Sequence, residues 1–169
     1  PVAHAPTKMI GEIAFKHFTY RYPGAGEDVV SDISLSIAAG EVVAFLGRIG
    51  CGKSTVLKSL VRFNDPQPGT LFIDNVDIRG YPLEQLRSQI ALIPQDPFLF
   101  SLSIRDNLTY DNPERDQPPI DTAAQLAELV EAIEEFPDGM GTIVGERGIT
   151  LSGGQKQRAT LARGLIRDA

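Results

Sequence analysis

The sequence predicts an α/β domain with a β-rich edge and a helical insertion, and three observations predict it. Strand-like segments come early in the 169 residues and helix-like segments late, with no internal repeat or low-complexity tract. Residues 42–46 form a continuous apolar run between Gly40 and Gly47, the pattern of a strand buried on both faces of a parallel sheet. Directly after that run, the glycine-rich stretch "GRIGCGKST" opens onto an amphipathic helix.

The opening "PVAHAPTKMI" has no clear period and reads as a tail or linker. In "EIAFKHFTYRY", Ile13 and Phe15 share one phase while Phe18, Tyr20 and Tyr22 share the other, which predicts a strand with a bulge near Lys16 and His17. The loop "PGAGED" leads into alternating Ile33, Leu35 and Ile37, and a turn at Gly40 leads into the run 42–46. Val56, Leu57, Leu60 and Val61 then share one face of a helix over 53–63. "GTLFIDNVDIRG" is a hairpin turning at Asp74 and Asn75, where Asn tolerates positive φ. "PLEQLRSQ" is a short helix with Pro82 at its start, and "IALIP" is a further parallel strand. After "QDPFLFS" and a polar, Pro-rich stretch, a helix over about 121–136 turns Leu126, Leu129, Val130 and Ile133 inward. The last helix opens at Ser152 and carries Ala159, Ala162, Leu165 and Ile166 on its inner face.

With 42% hydrophobic and 22% charged residues, the chain has ordinary globular usage. Its net charge of −6 argues against a broad nucleic-acid surface, so no nucleic-acid partner is expected. Cys51 is the sole cysteine and cannot form an intramolecular disulfide, so a reducing compartment is the default. No apolar run approaches the roughly 20 residues of a membrane-spanning helix, and the N-terminus lacks the order of a signal peptide. Any membrane link must come from a partner or from another part of the polypeptide. The first residue is Pro1 and not Met, which suggests a segment of a longer product.

"GRIGCGKST" matches G-x-x-x-x-G-K-[ST] between a predicted strand and a predicted helix. By average residue frequencies the pattern alone arises in on the order of one such chain in a hundred, so its flanks carry the argument. Glycines let the backbone curl with its N–H groups inward around β- and γ-phosphates. The candidate phosphate-binding residues are Gly47, Arg48, Ile49, Gly50, Cys51, Gly52, Lys53, Ser54 and Thr55. Lys53 adds a point charge, Ser54 is a candidate Mg²⁺ ligand, and the helix dipole points at the anion. Cys51 is either a small residue tolerated in a tight loop or a thiol activated by the positive surroundings, and nothing in the sequence pairs it with a histidine base.

Gln95 falls just past the predicted strand "IALIP", at the edge where α/β sheets bind ligands. Its amide is a candidate for holding Mg²⁺ or the attacking water; alone, a loop glutamine is uninformative. In "LSGGQ", Ser152 suits an N-cap, but capping does not explain Gly153 and Gly154, each costing helix stability up to about 1 kcal/mol. Close backbone approach to an anion explains them.

Taken in order, "GRIGCGKST", "IPQDPFLFS", "TIVGERG" and "LSGGQKQR" resemble the ATP-binding domain of an ATP-binding cassette transporter, exporter type, from about Gly11 to the end. The resemblance implies a P-loop NTPase (RecA-like) core with an antiparallel β subdomain and a helical subdomain, C-terminally incomplete. The implied layout is a linker over 1–10, the β subdomain and phosphate loop over about 11–95, the helical subdomain over about 96–150, and a signature helix over 152–169. It further implies ATP and Mg²⁺ as ligands, with Lys53 and Gln95 as catalytic residues and Ser54 and Gln95 at the metal. Tyr22 matches the aromatic residue that stacks on adenine, with Tyr20 as runner-up. Two such domains pack head to tail, so Ser152, Gly153, Gly154 and Gln155 would serve the nucleotide held by a second copy or homologue.

A transmembrane domain, in the same polypeptide, is the other implied partner, and the location is the cytoplasmic face of a membrane, the plasma (inner) membrane. Glu146 and Arg147 would touch that domain, unless they form an ordinary exposed ion pair. Phe98 and Phe100 either join the same contact or pack internally. A soluble DNA-maintenance ATPase would share both phosphate-facing motifs, but it usually carries a long coiled coil between them, and no sustained heptads occur here.

The family pattern calls next for an apolar strand ending in Asp, then a Glu as general base, then a later histidine. No apolar run ending in "DE" occurs, and His4 and His17 lie too early. Binding without turnover is therefore the alternative for these 169 residues. The absent strand would lie within the central sheet, so the segment by itself is expected to be unstable unless another chain or further residues complete the sheet. A sharp, cooperative melt of the 169 residues as a monomer would refute this.

Overall fold

Alternating apolar residues in two successive segments pair into an antiparallel ladder, β1 (Ile13–Tyr20) against β2 (Val30–Ile37). The computed structural model describes residues 6–145, 149–167 and 169, and the chain divides into two units, Pro1–Leu92 and Ile93–Ala169. The division places Gln95 with the helical unit and not with the β-rich one. Among the described residues no helix is long and apolar enough to cross a membrane.

In the first unit, β3 (Leu71–Ile73) and β4 (Val76–Asp77) complete a four-stranded antiparallel sheet in the order β2-β1-β3-β4. The β1–β2 register slips between Phe15 and Phe18, where His17 adopts φ +49, so the bulge lies where the phase shift places it. A second irregularity follows before Tyr20, with Asp32 at φ +51, and the His17 Nδ1 and Asp32 Oδ1 atoms meet at 2.6 Å. The first of these bends keeps both Phe15 and Phe18 in the core, although their spacing would put them on opposite faces of a regular strand. The β3–β4 turn is Asp74 and Asn75, with φ of +50 and +63, as a two-residue hairpin of primed type requires.

The Asp74 carboxylate accepts from the backbone N–H groups of Ile10 (2.7 Å), Gly11 (2.9 Å) and Glu12 (2.9 Å). Gln89 likewise accepts from the Met9 N–H and donates to the Thr7 carbonyl. The described part of the predicted tail is thus tied to the sheet unit.

Helix α1 (Lys53–Leu60) lays Val56 against this core, and α2 (Leu83–Ser88), entered through Pro82, adds Leu86. Tyr81 is buried beside them; burial pushes its phenol above the ordinary value, and its hydroxyl donates to the Ile73 carbonyl at 3.0 Å.

Two expected strands do not form. Residues 42–46 and 90–94 belong to no ladder, and Val42 and Leu46 are 97% and 93% exposed. A strand exists only through its neighbours, and no described segment supplies hydrogen bonds to either run. Leu57, expected inward on α1, is exposed as well, and α1 ends at Leu60, short of residue 63.

The second unit is helical: α3 (Ile104–Leu108), α4 (Gln117–Leu126), α5 (Val130–Glu134) and α6 (Gly153–Leu165). Its core gathers Leu108, Ile120, Leu129, Val144, Ala159 and Ala162. The single helix expected over 121–136 is two. Glu128 turns left-handed at φ +52, which breaks the helix and resets its phase. Leu129 and Ile133 are consequently buried while Leu126 and Val130 are exposed. Helix α4 starts earlier than expected, with Pro118 and Pro119 in its first turn, where a missing N–H costs nothing. On α6, Ala159, Ala162 and Ile166 are buried as expected, but Leu165 is exposed.

Candidate functional site

In the first unit, the curl of residues 47–55 depends on two left-handed glycines, Gly50 at φ +84 and Gly52 at φ +90. The Cys51 N–H donates to the Arg48 carbonyl, and Gly52 caps α1. Among the described residues no side chain caps that helix start and no acidic residue occupies its first turn, so its positive end is left open to an anion. The Lys53 ammonium donates to the carbonyls of Gly47 (2.9 Å) and Arg48 (2.8 Å) and lies 3.6 Å from Cys51 Sγ. Cys51, Ile49 and Ser54 are exposed. Exposed amides at a bare helix start, with an ammonium held among them, fit phosphate oxygens.

Thr55 is buried, and its Oγ1 lies 3.1 Å from the Tyr22 hydroxyl, so Tyr22 is coupled to the loop directly. The Tyr22 ring is exposed and meets the partly buried Tyr20 ring edge-on at 5.1 Å. Of the two tyrosines, Tyr22 offers the more accessible ring. No group of three or more His, Cys, Asp or Glu among the described residues can hold a metal.

In the second unit, Gln95 is exposed within a bend. The segment after it returns to meet residues 142–145. Ser103 bridges Ile143 antiparallel, and the Val144 N–H donates to the Leu102 carbonyl at 2.9 Å. Gly145, at φ +98, approaches so closely that a Cβ there would lie 3.2 Å from Ser101 Cα. Phe98 (61% exposed), Phe100, Leu102 and Tyr110 leave an apolar surface beside this junction. Glu146 and Arg147, expected at a membrane-domain contact, lie outside the described residues.

Ser152 caps α6 in a reciprocal box: its Oγ accepts from the Gln155 N–H (3.2 Å), and Gln155 Oε1 accepts from the Ser152 N–H (2.8 Å). Capping therefore accounts for Ser152 and Gln155. It leaves the glycines without a reason: a Cβ at Gly153 would meet nothing within 4 Å, and one at Gly154 only the Arg158 guanidinium at 4.0 Å. Neither needs positive φ.

Sequence reasoning missed Asn107 and Arg163. Asn107 is 1% exposed, and Arg163 donates from Nε to its carbonyl (2.7 Å) and from Nη2 to its side-chain oxygen (2.9 Å). The available signal was a charge on the buried stripe of α6, four residues after Ala159 and three before Ile166, which demands partners.

A family model described as "ABC transporter" matches residues 30–169. The chain is 44% identical over 162 residues to an ATP-dependent lipid A-core flippase of Sodalis glossinidius (strain morsitans), covering 95% of this chain and 28% of that one. It is 42% identical over 165 residues to ABC transporter B family member 1 of Arabidopsis thaliana, covering 97% of this chain and 13% of that one. A solved bacterial Atm1-family ABC exporter with ATP bound superposes with a TM-score of 0.88 at 34% identity, covering 98% of this chain and 29% of that one. The chain thus spans less than a third of each of these relatives.

Proposed function

Since the chain belongs to the ABC transporter family, we propose that it is the ATP-binding part of an exporter whose complete polypeptide hydrolyses ATP to drive transport across a membrane. The observation that carries this reading is the loop 47–55, whose helix start no described side chain caps and whose Lys53 ammonium is held beside it by the Gly47 and Arg48 carbonyls. Lys53 places its charge against the β- and γ-phosphates, and Tyr22, set by Thr55, stacks on the base. Ser54 would hold Mg²⁺, which when bound neutralises phosphate charge. The 169 residues contain no apolar run ending in Asp-Glu, so binding is assigned to this chain and turnover to the complete polypeptide.

Two partners follow. The open space at Gly153 and Gly154 suits a phosphate held by a second nucleotide-binding domain packed head to tail. The exposed Phe98, Phe100, Leu102 and Tyr110, with an adjoining hollow of about 420 Å³, suit an inserted apolar element of the transmembrane domain. That arrangement puts the chain at the cytoplasmic face of its membrane, which we assign as the plasma (inner) membrane.

Substitution of the two glycines separates function from folding. Gly153→Ala and Gly154→Ala meet no steric obstacle and raise helix propensity by up to about 1 kcal/mol, so the melting temperature of the complete polypeptide stays level or rises. ATP turnover should nevertheless fall by about tenfold or more, equivalent to losing ~1.4 kcal/mol of transition-state stabilisation. Normal turnover in both variants would refute the head-to-tail assignment. Failure of the unsubstituted protein to bind MgATP would refute the function itself.

A further inference from the structure

Helix α6 starts at the two glycines and carries Arg163 near its other end. The guanidinium donates to three acceptors that are all on one neighbouring stretch of chain: the Asn107 carbonyl (2.7 Å), the Asn107 side-chain oxygen (2.9 Å) and the Phe98 carbonyl (2.9 Å). Its Cζ lies over the Phe100 ring, 5.7 Å from the centroid, and over the Tyr110 ring at 5.6 Å. Burial lowers the pKa of the group from its ordinary value, so Arg163 is a partly desolvated cation whose contacts here are carbonyls and aromatic rings.

Asn107 extends the connection. Its side-chain oxygen accepts from the Phe100 N–H (2.8 Å), and its amide donates to the carbonyls of Phe100 (3.0 Å) and Ser103 (3.0 Å). Phe98, Phe100 and Ser103 are therefore bound through their backbones to one Arg–Asn pair. On its other side the same segment is bridged to residues 143 and 144 and abutted by Gly145. The segment is thus tied on both sides, and its polar attachment to α6 runs through Arg163, beside the packing of Leu99 against the helical core.

We infer that Arg163 is a positioning residue that makes α6 and the 98–103 segment move as one body, so that displacement of the glycine end of α6 is delivered to the exposed aromatic side chains after Gln95. The inference deepens the proposed function and rests on it for the meaning of that displacement. Arg is required because its planar fork reaches three acceptors at once, whereas a Lys ammonium at the same place reaches fewer.

The test compares Arg163→Lys with the parent in the complete polypeptide, by amide hydrogen exchange and by ATP turnover. In the variant the Phe100 amide should exchange about tenfold faster, while the Ala124 amide, on α4 in the core of the same unit, keeps its rate. Maximal ATP turnover should fall severalfold at unchanged KM. An unchanged Phe100 rate overturns the inference. So does equal acceleration at Ala124, which would mean only a loss of overall stability. Local acceleration with full turnover overturns the delivery to the nucleotide cycle. If the parent does not bind MgATP, the functional reading fails, and the Phe100 and Ala124 rates by themselves decide whether Arg163 holds the segment.

Discussion

Gly52→Ala is expected to weaken MgATP binding by the complete polypeptide about a hundredfold, equivalent to ~2.7 kcal/mol. Two independent causes add at this position. The φ of +90° costs an L-residue about 1–2 kcal/mol. A Cβ would also lie 2.6 Å from Val30 Cγ2 and 2.8 Å from the Val29 carbonyl oxygen, and a backbone atom at the entry to β2 has little freedom to retreat. Relief must come from the loop, whose tilt carries the amides away from the phosphates. Gly50→Ala supplies the control: its φ is +84°, yet nothing lies within 4 Å of its Cβ, so it should lose only the conformational part. Equilibrium titration with a fluorescent ATP analogue and Mg²⁺ reads both variants. Equal affinities for the two would show that the contact with Val29 and Val30 has no part in shaping the loop.

Asn107→Leu should lower the stability of the helical unit by about 3–5 kcal/mol, the range for breaking a buried hydrogen-bond network. Leucine has nearly the same shape and removes every side-chain bond. The Phe100 N–H and the carbonyls of Phe100 and Ser103 lose their partner, and Arg163 loses one of its three acceptors. Each such group left buried and unpaired costs about 1–3 kcal/mol, tempered where water reaches the part-buried loop. Denaturant or thermal unfolding of the complete polypeptide should show the lower transition, with the first unit unaffected. A loss under about 1 kcal/mol would mean that the 98–103 segment is held by residues 143–145 without help from Asn107.

Local patterns were legible in the sequence where the cause itself is local. The phase shift across Lys16 and His17 located a bulge, the Asp74–Asn75 pair located a primed hairpin turn, and Ser152 located a helix cap. The family, too, was legible, because the backbone of a phosphate loop tolerates few sequences. Burial of residues 42–46 was not, since an apolar run declares what it requires and cannot supply the ladder that meets the requirement. The helix over 121–136 divided for a similar reason: Glu128 took a left-handed conformation that its residue type does not advertise, in exchange for burying Leu129 and Ile133.

The sequence by itself determined the glycine-rich loop before α1, the turns and the caps, all of which depend on residues within a few positions of one another. Tertiary structure alone decided which apolar faces found partners and that Arg163 would be held by Phe98 and Asn107, at separations of 65 and 56 residues. Spacing encodes what a single backbone segment can do, whereas a contact between distant segments exists only once both have been packed.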